Sequence, residues 1–106
     1  MKDMQETIRI PVPMEAVADF CRRHHVRELA LFGSVLRDDF ADESDVDVLL
    51  EPGPEHQRKI AEFVAMQEEL EAIFGRKVDL VYKHLLKKYI REDVLRRRRV
   101  LYVSPR

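Results

Sequence analysis

The sequence predicts one small domain of the α/β class (α+β by connectivity), with helices packed against a single mixed β-sheet. Segments with helical spacing of apolar residues alternate with short apolar runs that are typical of buried strands. A length of 106 residues permits one domain, and a hydrophobic content of 45% is enough for a core. We therefore expect a single domain over residues 1–106, with elements in the order α-β-(α)-β-α-β-α-β.

Charge and hydropathy exclude several functional classes. Charged residues make up 37% of the chain and no apolar run exceeds four residues, which excludes a transmembrane helix and a secretory signal. Acidic and basic residues nearly cancel, 20 against 19, which argues against a protein that coats nucleic acid. The lone Cys21 cannot form an internal disulfide and fits a reducing compartment. We expect a cytoplasmic protein that neither enters a membrane nor binds nucleic acid directly.

The first half of the chain predicts a helix, a buried strand and a turn. Apolar residues recur at helical spacing from about Pro13 to His24, and a proline suits the first helical turn. Val26 to Phe32 has the nearly continuous apolar character of a strand buried on both faces. Gly33-Ser34 ends this strand, a short helical turn follows through Asp38, and a polar loop covers residues 39–44.

The second half predicts two further strands, two helices and a final edge strand. Asp45 to Glu51 is a strand stopped by Pro52-Gly53-Pro54. An amphipathic helix follows from Glu55 to Phe74, and Gly75 stands where a left-handed C-cap would be. The remaining elements are a strand at 77–82, a helix marked by apolar residues between 86 and 94, and an edge strand at 100–103.

Two aspartates in the second predicted strand are the first candidate site residues. Asp45 and Asp47 are two positions apart, so a strand points both carboxylates to the same side. Such like charges repel each other, and oxygen ligands at this spacing suit a bridging Mg²⁺ or Mn²⁺. The alternative is a solvated strand face, which the apolar neighbours Val46 and Val48 disfavour.

The turn before these aspartates predicts phosphate binding. Gly33 lets the backbone approach a ligand closely, and Ser34 begins a helical turn, whose N-terminus attracts anions. Ser34 can also act as an ordinary helix N-cap, and the two roles are compatible. Arg37 either pairs with Asp39 or Glu43 or contacts phosphate, and both interpretations stay open.

A third aspartate lies in the middle of the next predicted strand. Asp79 interrupts the otherwise apolar run Val78 to Val81, and a buried carboxylate without a partner is costly. Shared metal ions with Asp45 and Asp47 would explain it. A buried salt bridge to Arg76 or Lys77 is the competing interpretation.

Together these residues resemble a known family. Gly33-Ser34, ten residues, then Asp45-x-Asp47 and a later strand aspartate is similar to the pattern of DNA polymerase β-type nucleotidyltransferases. The resemblance is closest to the smallest members, the minimal nucleotidyltransferases (MNT domains), and covers roughly Met14 to Val103. Leu31 to Ser34, Arg37 and Ser44 to Leu50 follow the family's run, whereas Asp38 stands where many members have glycine.

The resemblance implies the nucleotidyltransferase fold and a set of site residues. By this resemblance Asp45 and Asp47 hold two Mg²⁺ ions, and Asp79 completes the catalytic and metal site. The predicted nucleotide-binding residues are Gly33, Ser34, Arg37 and Ser44. The implied reaction moves a nucleoside monophosphate, AMP from ATP by default, to a hydroxyl and releases pyrophosphate.

The acceptor is predicted from chain length and from the resemblance. A chain this short has no second domain to hold an acceptor, so a partner protein should supply it. MNT proteins resembling this chain commonly act as antitoxins that attach AMP to a tyrosine of HEPN-domain toxins, which implies a hetero-oligomer with such a toxin. The alternatives are an antitoxin that acts by binding alone, and a nucleotidyltransferase acting on RNA or a small molecule.

The remaining patterns have structural interpretations. Arg96 to Arg99 can be a nucleic-acid patch or a partner-docking site, but we favour a helix end that pairs with Glu92 and Asp93. Cys21 and Met66 should be core residues. The histidines show no metal-ligand spacing and are expected at the surface: His24, His25, His56 and His84.

Overall fold

A computed structural model describes residues 8–37, 40–41 and 43–105. Over these ranges the chain forms a four-stranded sheet in the order β3-β2-β1-β4, with three α-helices. The elements are α1 (Met14–Arg23), β1 (Val26–Phe32), a 3₁₀ turn (Gly33–Leu36), β2 (Val46–Pro52), α2 (Ile60–Phe74), β3 (Val78–Tyr82), a second 3₁₀ turn (Lys83–Leu85), α3 (Lys88–Arg97) and β4 (Arg99–Val103). Strand β1 is antiparallel to β2 and β4, and β2 is parallel to β3. The predicted mixed sheet is confirmed.

The main core lies between one face of the sheet and helices α1 and α2. Its fully buried side chains include Phe20, Leu31, Leu50 and Met66. Cys21 is also fully buried, and burial raises the pKa of its thiol to about 12. Both expected core residues are therefore confirmed, and the thiol is not a nucleophile at neutral pH.

Helix α2 ends as predicted but begins later. Gly75 has a φ of 72° and donates its N–H to the carbonyl of Glu71 at 2.8 Å, which is a left-handed C-cap. The helix begins at Ile60 rather than Glu55, because His56 folds inward and is only 7% exposed. Its Nδ1–H donates to the carbonyl of His24 at 2.6 Å, and Tyr82 donates its hydroxyl to Nε2 at 3.1 Å.

The surface prediction for the histidines is wrong for two of the four. His56 is buried, and the side chain of His24 is only 13% exposed between the carboxylates of Glu62 and Glu69. Both rings join elements that are distant in sequence, which a pattern along the chain does not reveal. His25 and His84 are exposed, as expected.

The residues that flank helix α3 are held to the sheet by ion pairs. The helix connects the two edge strands, β3 and β4, and buries no residue fully. Arg98, which follows it, donates to the carboxylate of Glu28 at 2.6 Å. Lys83, which precedes it, lies 3.2 Å from Glu51 and 3.8 Å from Glu28. None of the helices within the described ranges has the length and apolarity needed to cross a bilayer.

Candidate active site

Strand register places Asp47 and Asp79 side by side. Asp47 pairs with Phe32 across the antiparallel β1–β2 ladder and with Asp79 across the parallel β2–β3 ladder. Paired residues of neighbouring strands point to the same face, so both carboxylates lie on the face opposite the main core. Strand β2 begins at Val46, so Asp45 lies immediately before it. The N–H of Val46 donates to the carbonyl of Lys77 at 2.9 Å. The structure therefore brings the three aspartates to one end of the sheet.

The predicted burial of Asp79 is wrong. Asp79 is exposed, since β3 is an edge strand and this residue lies one position from its start. We therefore include Asp79 in the candidate site because of its register with Asp47, and not because of the cost of burying a carboxylate. Arg76, the proposed salt-bridge partner, donates to the carbonyls of Ala41 and Ser44 at 3.2 and 3.3 Å.

The position of the Asp47 side chain requires a glycine at residue 33. The φ of Gly33 is +78°, and a Cβ at this position would lie 2.2 Å from Oδ2 of Asp47. The backbone N–H of Ser34 donates a hydrogen bond to the same carboxylate. The Gly33-Ser34 turn therefore holds the side chain of Asp47, in addition to the ligand role that its residue types predict.

The electrostatics of the site centre on Asp47, which is half-buried. Its pKa is raised from 3.8 to about 6 by burial first, and then by the negative charges of Asp79 and Asp45. The hydrogen bond from Ser34 and the positive charge of Arg37 act in the opposite direction. Arg37 thus lies close enough to Asp47 to lower the pKa of its carboxyl, which places the arginine at the site.

Ser44 belongs to the turn that leads into Asp45. Its hydroxyl oxygen accepts a hydrogen bond from the N–H of Ala41 at 3.0 Å. The N–H of Ser44 in turn donates to the carbonyl of Ala41 at 3.0 Å. Arg76 braces this turn from outside, with its guanidinium 4.7 Å from the ring centroid of Phe40. Sequence reasoning missed this role of Arg76, since only the fold brings it to the turn. Asp38, where the chain departs from the family pattern, and Asp39, one of the alternative partners of Arg37, lie outside the described residues.

The donor set fits a divalent cation, although it is not gathered into a closed metal site. Among the described residues, no three His, Cys, Asp or Glu side chains form a group that could hold a metal ion as they stand. Burial, and then the negative charges of Asp79 and Asp45, nevertheless raise the pKa of Asp47. Oxygen donors of this kind suit Mg²⁺, and a bound cation would offset these negative charges.

The arginine run is held by acidic neighbours. Arg96 and Arg97 donate to the carboxylate of Asp93 at 2.8 and 2.9 Å, and Arg98 donates to Glu28. These contacts favour the helix-end interpretation over a nucleic-acid patch, although Glu28 rather than Glu92 holds the third arginine.

Comparison with known proteins agrees with this geometry. A family model described as "Nucleotidyltransferase domain" matches residues 14–101, which include every candidate site residue. The protein adenylyltransferase MntA of Thermococcus cleftensis is 42% identical over 81 residues, which cover 76% of this chain and 78% of MntA.

Solved structures show the same fold. One assigned as a minimal nucleotidyltransferase is 33% identical with a TM-score of 0.67, covering 80% of this chain and 85% of the other. A complex of tri-AMPylated Shewanella oneidensis HEPN toxin with an MNT antitoxin matches at 16% identity and a TM-score of 0.61, covering 86% of this chain and 70% of that one. At that identity the likeness concerns the fold alone. The chain thus belongs to the nucleotidyltransferase domain family and, within it, to the minimal nucleotidyltransferases.

Proposed function

We propose that this nucleotidyltransferase is an antitoxin that moves AMP from ATP to a tyrosine hydroxyl of a HEPN-domain toxin, with Mg²⁺ as its cofactor. The observation that carries the proposal is the β2–β3 register, which places Asp79 opposite Asp47 beside the Gly33-Ser34 turn. The relatives support the acceptor: MntA is named a protein adenylyltransferase, and the Shewanella complex joins an AMPylated HEPN toxin to an MNT antitoxin.

The three aspartates have different roles in the proposed reaction. Asp45 and Asp47 would hold two Mg²⁺ ions, and Asp79 would join them as a ligand. Bound divalent ions would supply charge neutralisation for the triphosphate and lower the pKa of the acceptor hydroxyl. As the hydroxyl oxygen bonds to the α-phosphorus, the bond from that phosphorus to the bridging oxygen breaks and pyrophosphate leaves. The hydroxyl proton passes to Asp79, whose exposure gives an acceptor side chain access to it.

The proposed nucleotide-binding residues surround this cluster. The N–H of Ser34 is engaged with Asp47, so the proposed phosphate contact is made by the serine hydroxyl. Arg37 lies close enough to Asp47 to offset negative charge and would do the same for phosphate oxygens. Gly33 leaves space for the carboxylate of Asp47, and Ser44 stabilises the turn that precedes Asp45.

Labelled AMP transfer tests the proposal. The purified protein is incubated with Mg²⁺, ATP labelled at the α-phosphate and the HEPN-domain protein, and mass spectrometry locates the adduct. We expect AMP on a tyrosine with the wild type, none with Asp47→Asn, and wild-type transfer with Glu68→Gln, an exposed control on α2. A folded wild type that binds ATP and this partner but transfers no AMP would overturn the proposal.

A second candidate is neutralisation by binding alone. The absence of a closed three-carboxylate group among the residues described favours it. The same variant separates the two functions, because Asp47→Asn abolishes transfer but leaves a purely steric antitoxin intact. Toxin neutralisation by this variant in cells, at wild-type strength, would favour the binding function.

A further inference from the structure

We propose that the surface formed by residues 83–91 docks an acidic protein surface with an apolar centre, namely that of the acceptor protein. This inference rests on the proposed function, which requires the acceptor to be a protein. We call this segment the 83–91 surface; it comprises the second 3₁₀ turn and the first turn of α3.

Three large apolar side chains are exposed within this short segment. Leu85 is 65% exposed, Tyr89 81% and Ile90 37%, all within six consecutive residues. Helices α1 and α2 each have three buried residues in the core, whereas α3 has none. Single exposed apolar residues need no explanation, but a cluster of them marks an interaction surface.

The charges within residues 83–91 are all positive, whereas the exposed Glu92 and Asp93 follow the segment directly. Residues 83–91 include four lysines and arginines and no acidic residue, in a chain whose net charge is −1. Lys83 is paired with Glu51 and Glu28, and Arg91 donates to the carbonyl of Lys83 at 3.0 Å. Lys87 and Lys88 are exposed and have no ion pair within the part of the chain that the structure describes. Their charge is complementary to an acidic partner.

Protein fits this surface better than nucleic acid does. Two of the three exposed apolar side chains are aliphatic, and they offer no stacking platform for bases. Nucleic acid also needs many cations along a phosphate track, whereas in this described segment three cations lack an ion pair: Lys87, Lys88 and Arg91. A tyrosine flanked by aliphatic residues, with charges around them, is typical of the centre and rim of a protein interface.

The 83–91 surface begins where β3 ends, at the other end of this strand from Asp79. Strand β3 carries Asp79 near its start and leads directly into Lys83. At about 3.3 Å per residue, the backbone of Lys83 is about 13 Å from that of Asp79. A standard interface of about 800 Å² per partner is roughly 30 Å across. One docked protein can therefore contact the 83–91 surface and present a hydroxyl to the site.

Binding and transfer are measured together for a charge-reversed pair, Lys87→Glu/Lys88→Glu. Glutamate suits the N-terminus of α3, so the fold should be kept. We expect the Kd for the HEPN-domain protein to rise by about tenfold, with Mg²⁺–ATP affinity unchanged. Tyr89→Ala should raise the Kd by about fivefold. The matched controls are Arg22→Glu and Ile60→Ala, an exposed cation on α1 and an 84% exposed apolar residue on α2, and both should bind as the wild type does.

The outcomes separate this inference from the proposed function. Weakened binding by the 83–91 variants supports the docking surface, even if the wild type binds without transferring AMP, which would overturn only the proposed function. Wild-type binding and transfer by the 83–91 variants would overturn the docking surface and leave the proposed function standing. Tight binding of single-stranded RNA that Lys87→Glu/Lys88→Glu abolishes would also overturn it, in favour of nucleic acid.

Discussion

Replacing Asp47 with asparagine should stabilise the metal-free protein at neutral pH while abolishing its activity. The pKa of this carboxyl rises from 3.8 to about 6 on folding, because burial and two neighbouring aspartates disfavour its charge. The folded state therefore binds this proton more tightly than the unfolded chain does. At about 1.4 kcal/mol per factor of ten in proton affinity, ionising Asp47 costs the fold at most about 3 kcal/mol. Solvent contact reduces this to about 1–2 kcal/mol.

The sign of the pH dependence follows from the raised pKa. Below pH 3.8 the carboxyl is protonated in both states, and its charge costs nothing. As pH rises through 6, the folded protein loses the stability that the bound proton conferred. Asparagine carries no charge, and its side-chain oxygen can still accept the Ser34 hydrogen bond. The stability difference between Asp47→Asn and the wild type should therefore be small at pH 4 and about 1–2 kcal/mol at pH 7.5.

Urea unfolding in EDTA at these two pH values measures the effect, with Glu68→Gln as the control for loss of an exposed acid. The other titrating groups are common to both proteins and cancel in the difference. An equal stability difference at both pH values, or a destabilised variant at pH 7.5, would refute the claim that the ionised Asp47 carboxylate destabilises the metal-free fold.

Three further variants or conditions test other parts of the structure. Gly75→Ala should cost about 1 kcal/mol because of its positive φ, and Gly33→Ala should cost more because its Cβ also meets Asp47. Only Gly33→Ala should abolish AMP transfer, and equal activity of the two in the labelling assay would contradict this. Adding Mg²⁺ with a non-hydrolysable ATP analogue should raise the Tm of the wild type but not of Asp47→Asn in a thermal scan, and equal rises would place the metal elsewhere. His56→Ala should cost about 2–3 kcal/mol in urea unfolding, because it leaves the His24 carbonyl and the Tyr82 hydroxyl without this partner, while ATP affinity stays unchanged. Unaltered stability would show that these two hydrogen bonds do not stabilise the fold.

Much of the fold was predictable because its signals are local. An apolar run predicted β1 with its observed bounds, Val26–Phe32, and Gly75 predicted the end of α2. The strand pattern predicted Asp47 within β2, and the aspartate inside an apolar run pointed to Asp79, whose register with Asp47 the structure supplies. In each case the information lies within a few residues of the feature it predicts.

What the sequence did not reveal depends on contacts between distant residues. The inward turn of His56 joins it to His24 and Tyr82, and Arg98 reaches Glu28 over 70 positions. The exposure of Asp79 follows from the edge position of β3, which the strand's own residues do not reveal. The contact between Gly33 and Asp47 likewise needs the β1–β2 register.

The proposed function depends most on a site for divalent cations that β2 and β3 share. Amide NMR spectra recorded while Mn²⁺ and a non-hydrolysable ATP analogue are added locate the bound ions through paramagnetic broadening. The signals of Gly33, Ser34, Val46, Asp47 and Asp79 should broaden first, and Asp47→Asn should remove the effect. Broadening centred on another acidic cluster, such as Glu62 and Glu69, or spread evenly over the chain, would contradict the assignment of the site.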